Sequence, residues 1–142
     1  SSSSGLLALP GLGAYASSKF ALEGMTEAWR QELRPFGLRT YLVEPGPYKT
    51  DIWGRNRTLS AGGFAKGGPY ATYEARIDAL ARKYEDRAAD PQEIADHILR
   101  LIDGPETTLR HVKGPASRLR FYAKRLLPFS FLEGLIRWAM GR

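Results

Sequence analysis

Cysteine is absent from the 142 residues of this chain, and histidine and methionine occur only twice each. Without cysteine there can be no disulfide framework and no thiolate metal site. The absence fits a reducing compartment, so a cytoplasmic location is expected. Neither histidine has the neighbours a metal site needs. His97 reads as a surface residue of a helix, and His111 has no ligating partner nearby. No apolar run approaches the ~20 residues that span a bilayer. No basic segment leading into an apolar one resembles a secretory leader.

Acidic residues run short in one region only. The net charge of +6 comes from 21 Lys/Arg against 15 Asp/Glu. From Arg110 onward the only acid is Glu133 and the stretch carries +7, which leaves −1 for everything before it. The basic excess is therefore a local property of the tail and implies a surface role there. It does not describe a nucleic-acid-binding domain, because no zinc finger, basic zipper or RNA-binding aromatic signature accompanies it. The length bounds the chain to one domain, and a hydrophobic share of 43% with 25% charge is that of a globular protein.

Residues 14–34 contain no proline, and Tyr15, Leu22, Met25 and Trp29 recur at helical spacing before Pro35 and Gly37 stop the pattern. "LRTYLVEPG" then supplies a short apolar run at Tyr41, Leu42 and Val43, the length of a buried strand, ended by Pro45-Gly46. Residues 50–70 are rich in Gly, Arg and Ser without periodicity and read as a long loop, a length usually reserved for functional lids. "TYEARIDALARKYED" places Tyr73, Ile77, Leu80 and Tyr84 on one helical face. In "DPQEIADHILRLIDGP" the spacing predicts a helix with Asp90 as N-cap, Pro91 in its first position and Glu93 three residues after the cap. "TLRHV" has the composition of a strand. Helix, turn and buried strand in succession form the repeat of an α/β sheet.

Tyr15 and Lys19 carry the first chemical signal. Four residues apart on a helix, they emerge on one face, one turn from each other. A phenol ordinarily keeps its proton at neutral pH, whereas an ammonium beside it favours the phenolate. Such a tyrosine can exchange a proton with a carbonyl or alcohol oxygen. The lysine head also offers three donors to the hydroxyls of a sugar. A serine opposite would hold the substrate oxygen where negative charge develops. A bare Y-x-x-x-K is short enough to occur by chance, with the tyrosine a rim aromatic and the lysine a solvated charge. Its company is what gives it meaning: "SSSSG" upstream, Pro10-Gly11 between, "ASSKFALEG" around the lysine and "VEPGPYKT" after a strand.

With those residues in view, the sequence resembles the C-terminal half of a short-chain dehydrogenase/reductase, a family of NAD(P)-dependent oxidoreductases with a Rossmann-like, doubly wound parallel α/β sheet. The family's serine, spacer and Y-x-A/S-S-K pattern is met by Ser2, Tyr15, Ser17, Ser18 and Lys19, and its P-G-x-x-x-T element by Pro45, Gly46 and Thr50. The likeness spans at least residues 1–102. It implies that Tyr15 is the general acid/base, that Lys19 binds the nicotinamide ribose and lowers the Tyr15 pKa, and that Ser2 bonds the reacting oxygen. Ser3 competes for that last role, since four serines in a row leave the register open, and the family's spacing favours Ser2. Pro45 and Gly46 would shape the backbone against the nicotinamide of NAD or NADP, with Thr50 on its carboxamide or phosphate. The lid, from Asp51 to about Tyr70, would offer Trp53, Phe64 and Tyr70 to the substrate, a small alcohol or ketone that includes lipophilic ones. They read equally well as ordinary anchoring aromatics of a loop. A homo-oligomer, dimer or tetramer, is implied as well.

Two family features are missing. No T-G-x-x-x-G-x-G turn is present to take the cofactor pyrophosphate at a helix N-terminus. The catalytic asparagine upstream of the serine is missing too, and the sole asparagine, Asn56, lies in the lid. The chain is therefore expected to be a fragment, residues 1–112 forming the later part of the catalytic domain and 113–142 a basic amphipathic extension, inactive alone. Two other readings stand beside it: a non-catalytic relative serving as a binding or scaffold module, and a membrane-surface protein acting through its tail. In residues 117–142, divided by Pro128, Leu132, Leu135, Ile136 and Ala139 share one face. Amphipathic helices mostly face a core, so packing on the same domain or a partner subunit is the first expectation and docking on anionic lipid the second.

Overall fold

The computed structural model describes residues 1–50, 52 and 71–139. Its longest helix, α1 (Gly13–Leu33), is rich in Ala, Leu, Glu and Met, all strong helix formers. Pro35 enters a 3-10 turn at its end, and Gly37 closes it at φ +73, a conformation glycine adopts without the Cβ penalty. The chain reverses there into β1 (Leu42–Pro45), which includes the Glu-Pro pair the apolar run alone left out. Strand β2 (Arg110–Lys113) lies parallel to β1, with Leu42 opposite Arg110 and Pro45 opposite Lys113.

Parallel neighbours require a long crossover, and the connection carries α2 (Ala71–Asp86) and α3 (Gln92–Asp103). After β2, Gly114 at φ +89 turns the chain into α4 (Pro115–Leu126), and Pro128 separates this from α5 (Phe129–Ala139). On the other side of β1, the Ser1 nitrogen donates to the Val43 carbonyl at 2.9 Å. The opening serines therefore run beside the strand and turn away through a 3-10 turn at Ser3–Gly5. Helices around a parallel pair make this a mixed α/β arrangement, as expected for part of a Rossmann-like sheet.

Leu6, Leu7, Ala16, Leu42, Ile77 and Leu101 are among the buried apolar residues. The buried face of α1 differs from the apolar stripe. Its buried residues are Ala16, Glu23 and Thr26, whereas Tyr15, Met25 and Trp29 are exposed among the described residues. Glu23 is buried on the side turned to the strands, where it pairs with Arg110, as described below. The cap of α3 shifts by one residue. Pro91 is its N-cap, yet the Asp90 carboxylate still accepts the Gln92 N–H at 2.9 Å, as a capping side chain does. In the α2 stripe, Ile77 is buried and Tyr84 half-buried.

Candidate functional site

The turn that follows β1 and the start of α1 meet over one cavity of about 480 Å³. Ser2, Tyr15, Lys19, Pro45, Gly46 and Thr50 all line it, although the sequence spreads them over three segments. Parallel strands deliver their C-terminal ends to one side of a sheet, and the turns there form the crevice in which open α/β sheets take ligands. Here Pro45 ends β1 and the opening serines run beside it, so both turns open on the same side.

Within the cavity, the Lys19 ammonium sits 5.3 Å from the centre of the Tyr15 ring. Helical spacing explains the contact, since residues four apart stack one turn above the other. Ser18, which faces elsewhere, spends its hydroxyl on the Tyr15 carbonyl at 2.7 Å. The two competing serines differ in surroundings. Ser3 is buried, and its oxygen accepts from the Arg120 guanidinium at 3.2 Å. Ser2 is half-buried and its oxygen accepts from the Ser4 N–H at 3.2 Å, which leaves its own proton available to donate.

Pro45, Gly46 and Pro47 line the cavity. Gly46 has a steric reason to be glycine: a Cβ there would stand 2.6 Å from the Ser117 oxygen and 3.4 Å from the Lys113 carbonyl. Ser117 is buried on α4. The turn after β1 thus fits only because it lacks a side chain.

Sequence reasoning missed several lining residues. Arg120 and Tyr84 bond to one another beside the serines, the arginine standing 5.4 Å from the tyrosine ring centre. Leu9, Leu12, Ile94 and Ile98 add an apolar wall. Helical spacing was the only signal: Tyr84 belongs to the stripe of α2, and Ile94 and Ile98 stand at i, i+4, which marks a shared face and nothing about where it points. Trp53, Phe64 and Tyr70 lie outside the described residues.

The site's donors are of the kind that a nicotinamide ribose needs. Lys19 brings an ammonium to the lining, Ser2 and Thr50 bring hydroxyls, and Gly46 has no side chain. His97, read as a surface residue, is half-buried and packs against His111, with ring centres 5.0 Å apart. Burial and nearby cations hold both below the usual histidine pKa. No group of three or more acidic or histidine side chains able to hold a metal occurs among the described residues.

Comparison with known proteins gives the arrangement its place. A family profile described as short chain dehydrogenase matches residues 1–60, the stretch that contains Ser2, Tyr15, Lys19, Pro45, Gly46 and Thr50. The uncharacterized oxidoreductase YusZ of Bacillus subtilis (strain 168) is 38% identical over 138 residues, covering 96% of this chain and 49% of that protein. The NADPH-dependent 3-dehydrocapnine reductase of Ornithobacterium rhinotracheale is 32% identical over 94% of this chain and 46% of its own length. A 3-ketodihydrosphingosine reductase of Bacteroides thetaiotaomicron is 28% identical over 96% of this chain and 51% of its own. The chain spans about half the length of the curated relatives it matches. Motif, fold and relatives converge, and this chain belongs to the short-chain dehydrogenase/reductase family.

Proposed function

We propose that the chain supplies the proton-transfer half of an NAD(P)-dependent oxidoreductase acting on an alcohol/carbonyl pair. The observation that carries this reading is the cavity that gathers Ser2, Tyr15, Lys19 and the Pro45–Gly46 turn. In the reductive direction the Tyr15 hydroxyl gives its proton to the substrate oxygen, and in the oxidative direction the phenolate takes it back. The Lys19 ammonium favours the charge that gathers on the phenol oxygen as the proton leaves. Its remaining donors hold the ribose of the cofactor. Ser2 donates to the substrate oxygen, where charge develops as the carbonyl changes hybridisation. A bound nicotinamide supplies or accepts the hydride at the carbon. The Leu9, Leu12, Ile94 and Ile98 wall favours a lipophilic carbon skeleton next to that carbonyl. The relatives named for 3-ketodihydrosphingosine and 3-dehydrocapnine point the same way.

The test is titration of the full-length protein with NADH and NADPH, followed by a panel of long-chain and compact ketones. Dinucleotide binding and ketone-dependent oxidation are expected. Lys19→Ala should weaken dinucleotide binding about 10–100-fold, the range of one or two charge-assisted hydrogen bonds. Unchanged binding in that variant would contradict the role of Lys19.

A second reading concerns α4 and α5, and rests on exposure. Leu119, Tyr122, Leu126, Phe129, Phe131, Leu135 and Trp138 are all exposed, while Leu132 is the buried residue of α5. Arg118, Lys124, Arg125 and Arg137 lie among them. We propose that this face rests on an anionic membrane surface, the cations meeting headgroups and the aromatic residues the acyl boundary. No helix of the described residues is long and apolar enough to cross a membrane.

A further inference from the structure

Glu44 is fully buried, on the strand that leads into the site, and Glu23 is 5% exposed on α1. Both carboxyl groups converge on one nitrogen of the Arg110 guanidinium, Glu44 at 2.7 Å. The second terminal nitrogen of the guanidinium is taken by Glu27, which is exposed. One oxygen of each buried carboxyl, Oε1 of Glu23 and Oε2 of Glu44, has no hydrogen-bond partner. Two buried carboxylates on a single cationic nitrogen leave an excess of negative charge out of water, which is unfavourable. One proton between them removes that excess and turns an orphaned acceptor into a donor.

The placement matters for the site. Tyr15, Lys19 and Glu23 follow one another at four-residue intervals on α1, so the carboxyl lies one turn beyond the lysine. Glu44 immediately precedes Pro45 and Gly46. Gly5, three residues past Ser2, has no Cβ, and one built there would stand 2.7 Å from Glu23 Oε1. The three segments that bring Ser2, Tyr15 with Lys19, and Pro45–Gly46 to the cavity therefore meet at this pair.

We propose that Glu23 and Glu44 share one proton and act as a positioning pair, fastening the helix of Tyr15 and Lys19 to the Pro45–Gly46 turn. The placement stands by itself, and its consequence for cofactor binding rests on the oxidoreductase reading. Charged groups face the pair from every side. Glu27 and, a turn away, Lys19 come from α1, and Arg110 comes from β2. Lys124 and Arg125 of α4 stand across a cavity of about 430 Å³ that also borders Glu23, Glu27 and Arg110. Burial, and then Glu23, push the Glu44 carboxyl up to about 7, while Arg110 pulls the other way.

That value lies above 4.5, the carboxyl's ordinary one, so the folded state holds the proton more tightly than the unfolded chain. The contribution to stability is present at low pH and is lost as pH rises from about 4.5 through about 7.

The experiment uses the full-length protein, wild type, Glu44→Gln and Glu44→Ala, with three readouts: Tm against pH, titration of ¹³C-labelled glutamate carboxyls, and NAD(P)H binding. In the wild type one glutamate should titrate near 7 and Tm should fall across that range. Glu44→Gln, which imitates the protonated form, should abolish that titration and flatten the fall. Glu44→Ala should weaken NAD(P)H binding about tenfold and Glu44→Gln should restore most of it. A Tm profile in Glu44→Gln as steep as the wild type, or ordinary titration of every glutamate, would overturn the shared proton. Equal binding in the Ala and Gln variants would overturn the positioning role. Absence of NAD(P)H binding in the wild type, beside a glutamate titrating near 7, would keep the shared proton and overturn the oxidoreductase reading.

Discussion

A methyl group added at Gly46 has no room, because the Ser117 oxygen and the Lys113 carbonyl already occupy the space. Gly46→Ala should therefore displace the turn that walls the cavity and lower stability by about 1–3 kcal/mol, the cost of overpacking. Thermal unfolding measures the loss, and Gly46→Ala combined with Ser117→Gly should recover part of it. At this scale much of the candidate site was legible in the sequence. Ser2, Tyr15, Lys19, Pro45, Gly46 and Thr50 are read from short spacings along the chain, and the structure lines one cavity with them. Arg120 was not legible, since it reaches Ser3 across 117 residues. Nor was the junction of Glu44 with Arg110, 66 residues apart. A lone charge in a sequence reads as solvated, and only the fold shows that this one has no water around it.

The elements were easier to read than their faces. Periodicity located α1, α2, α3 and the division of the tail at Pro128, and "TLRHV" did become a strand, shifted to Arg110–Lys113. The buried side of α1 was not readable, because its apolar stripe is exposed and its inward side carries Glu23 and Thr26. The end of α1 is held by one side chain. Arg30 donates to the Thr40 carbonyl at 2.6 Å, to the Thr107 carbonyl at 2.8 Å and to Glu106 at 3.0 Å. It thereby ties the helix to the segments that enter both strands. Arg30→Ala frees two carbonyls and should cost about 1–3 kcal/mol, the usual penalty for unpairing such groups. The result is read as a lower midpoint in urea at an unchanged m-value. An unchanged midpoint would show that the contact contributes nothing.

For the whole molecule, charge and shape divide the labour. The site lies where the opening serines, α1 and the turn after β1 converge, and the +7 excess lies in the stretch that carries α4 and α5. A membrane-resting tail predicts that the protein co-sediments with vesicles containing about 30% anionic lipid, that neutral vesicles capture little, and that about 0.5 M salt releases it, since screening shortens the reach of exposed charges. Trp138→Ala with Phe131→Ala should abolish capture while ketone turnover on a soluble substrate persists. Capture that ignores lipid charge and salt would contradict the role of the cations, and the absence of capture would contradict the membrane reading.

The central claim is that Tyr15 moves the proton in the cavity it shares with Lys19 and Ser2, and the most direct measurement is kcat for ketone reduction by full-length Tyr15→Phe beside NAD(P)H binding by the same protein. Loss of the acid should lower kcat about 10²–10⁴-fold, and binding should stay within about threefold because the phenol oxygen is the only atom removed. A Tyr15→Phe protein that turns over at the wild-type rate would contradict the account.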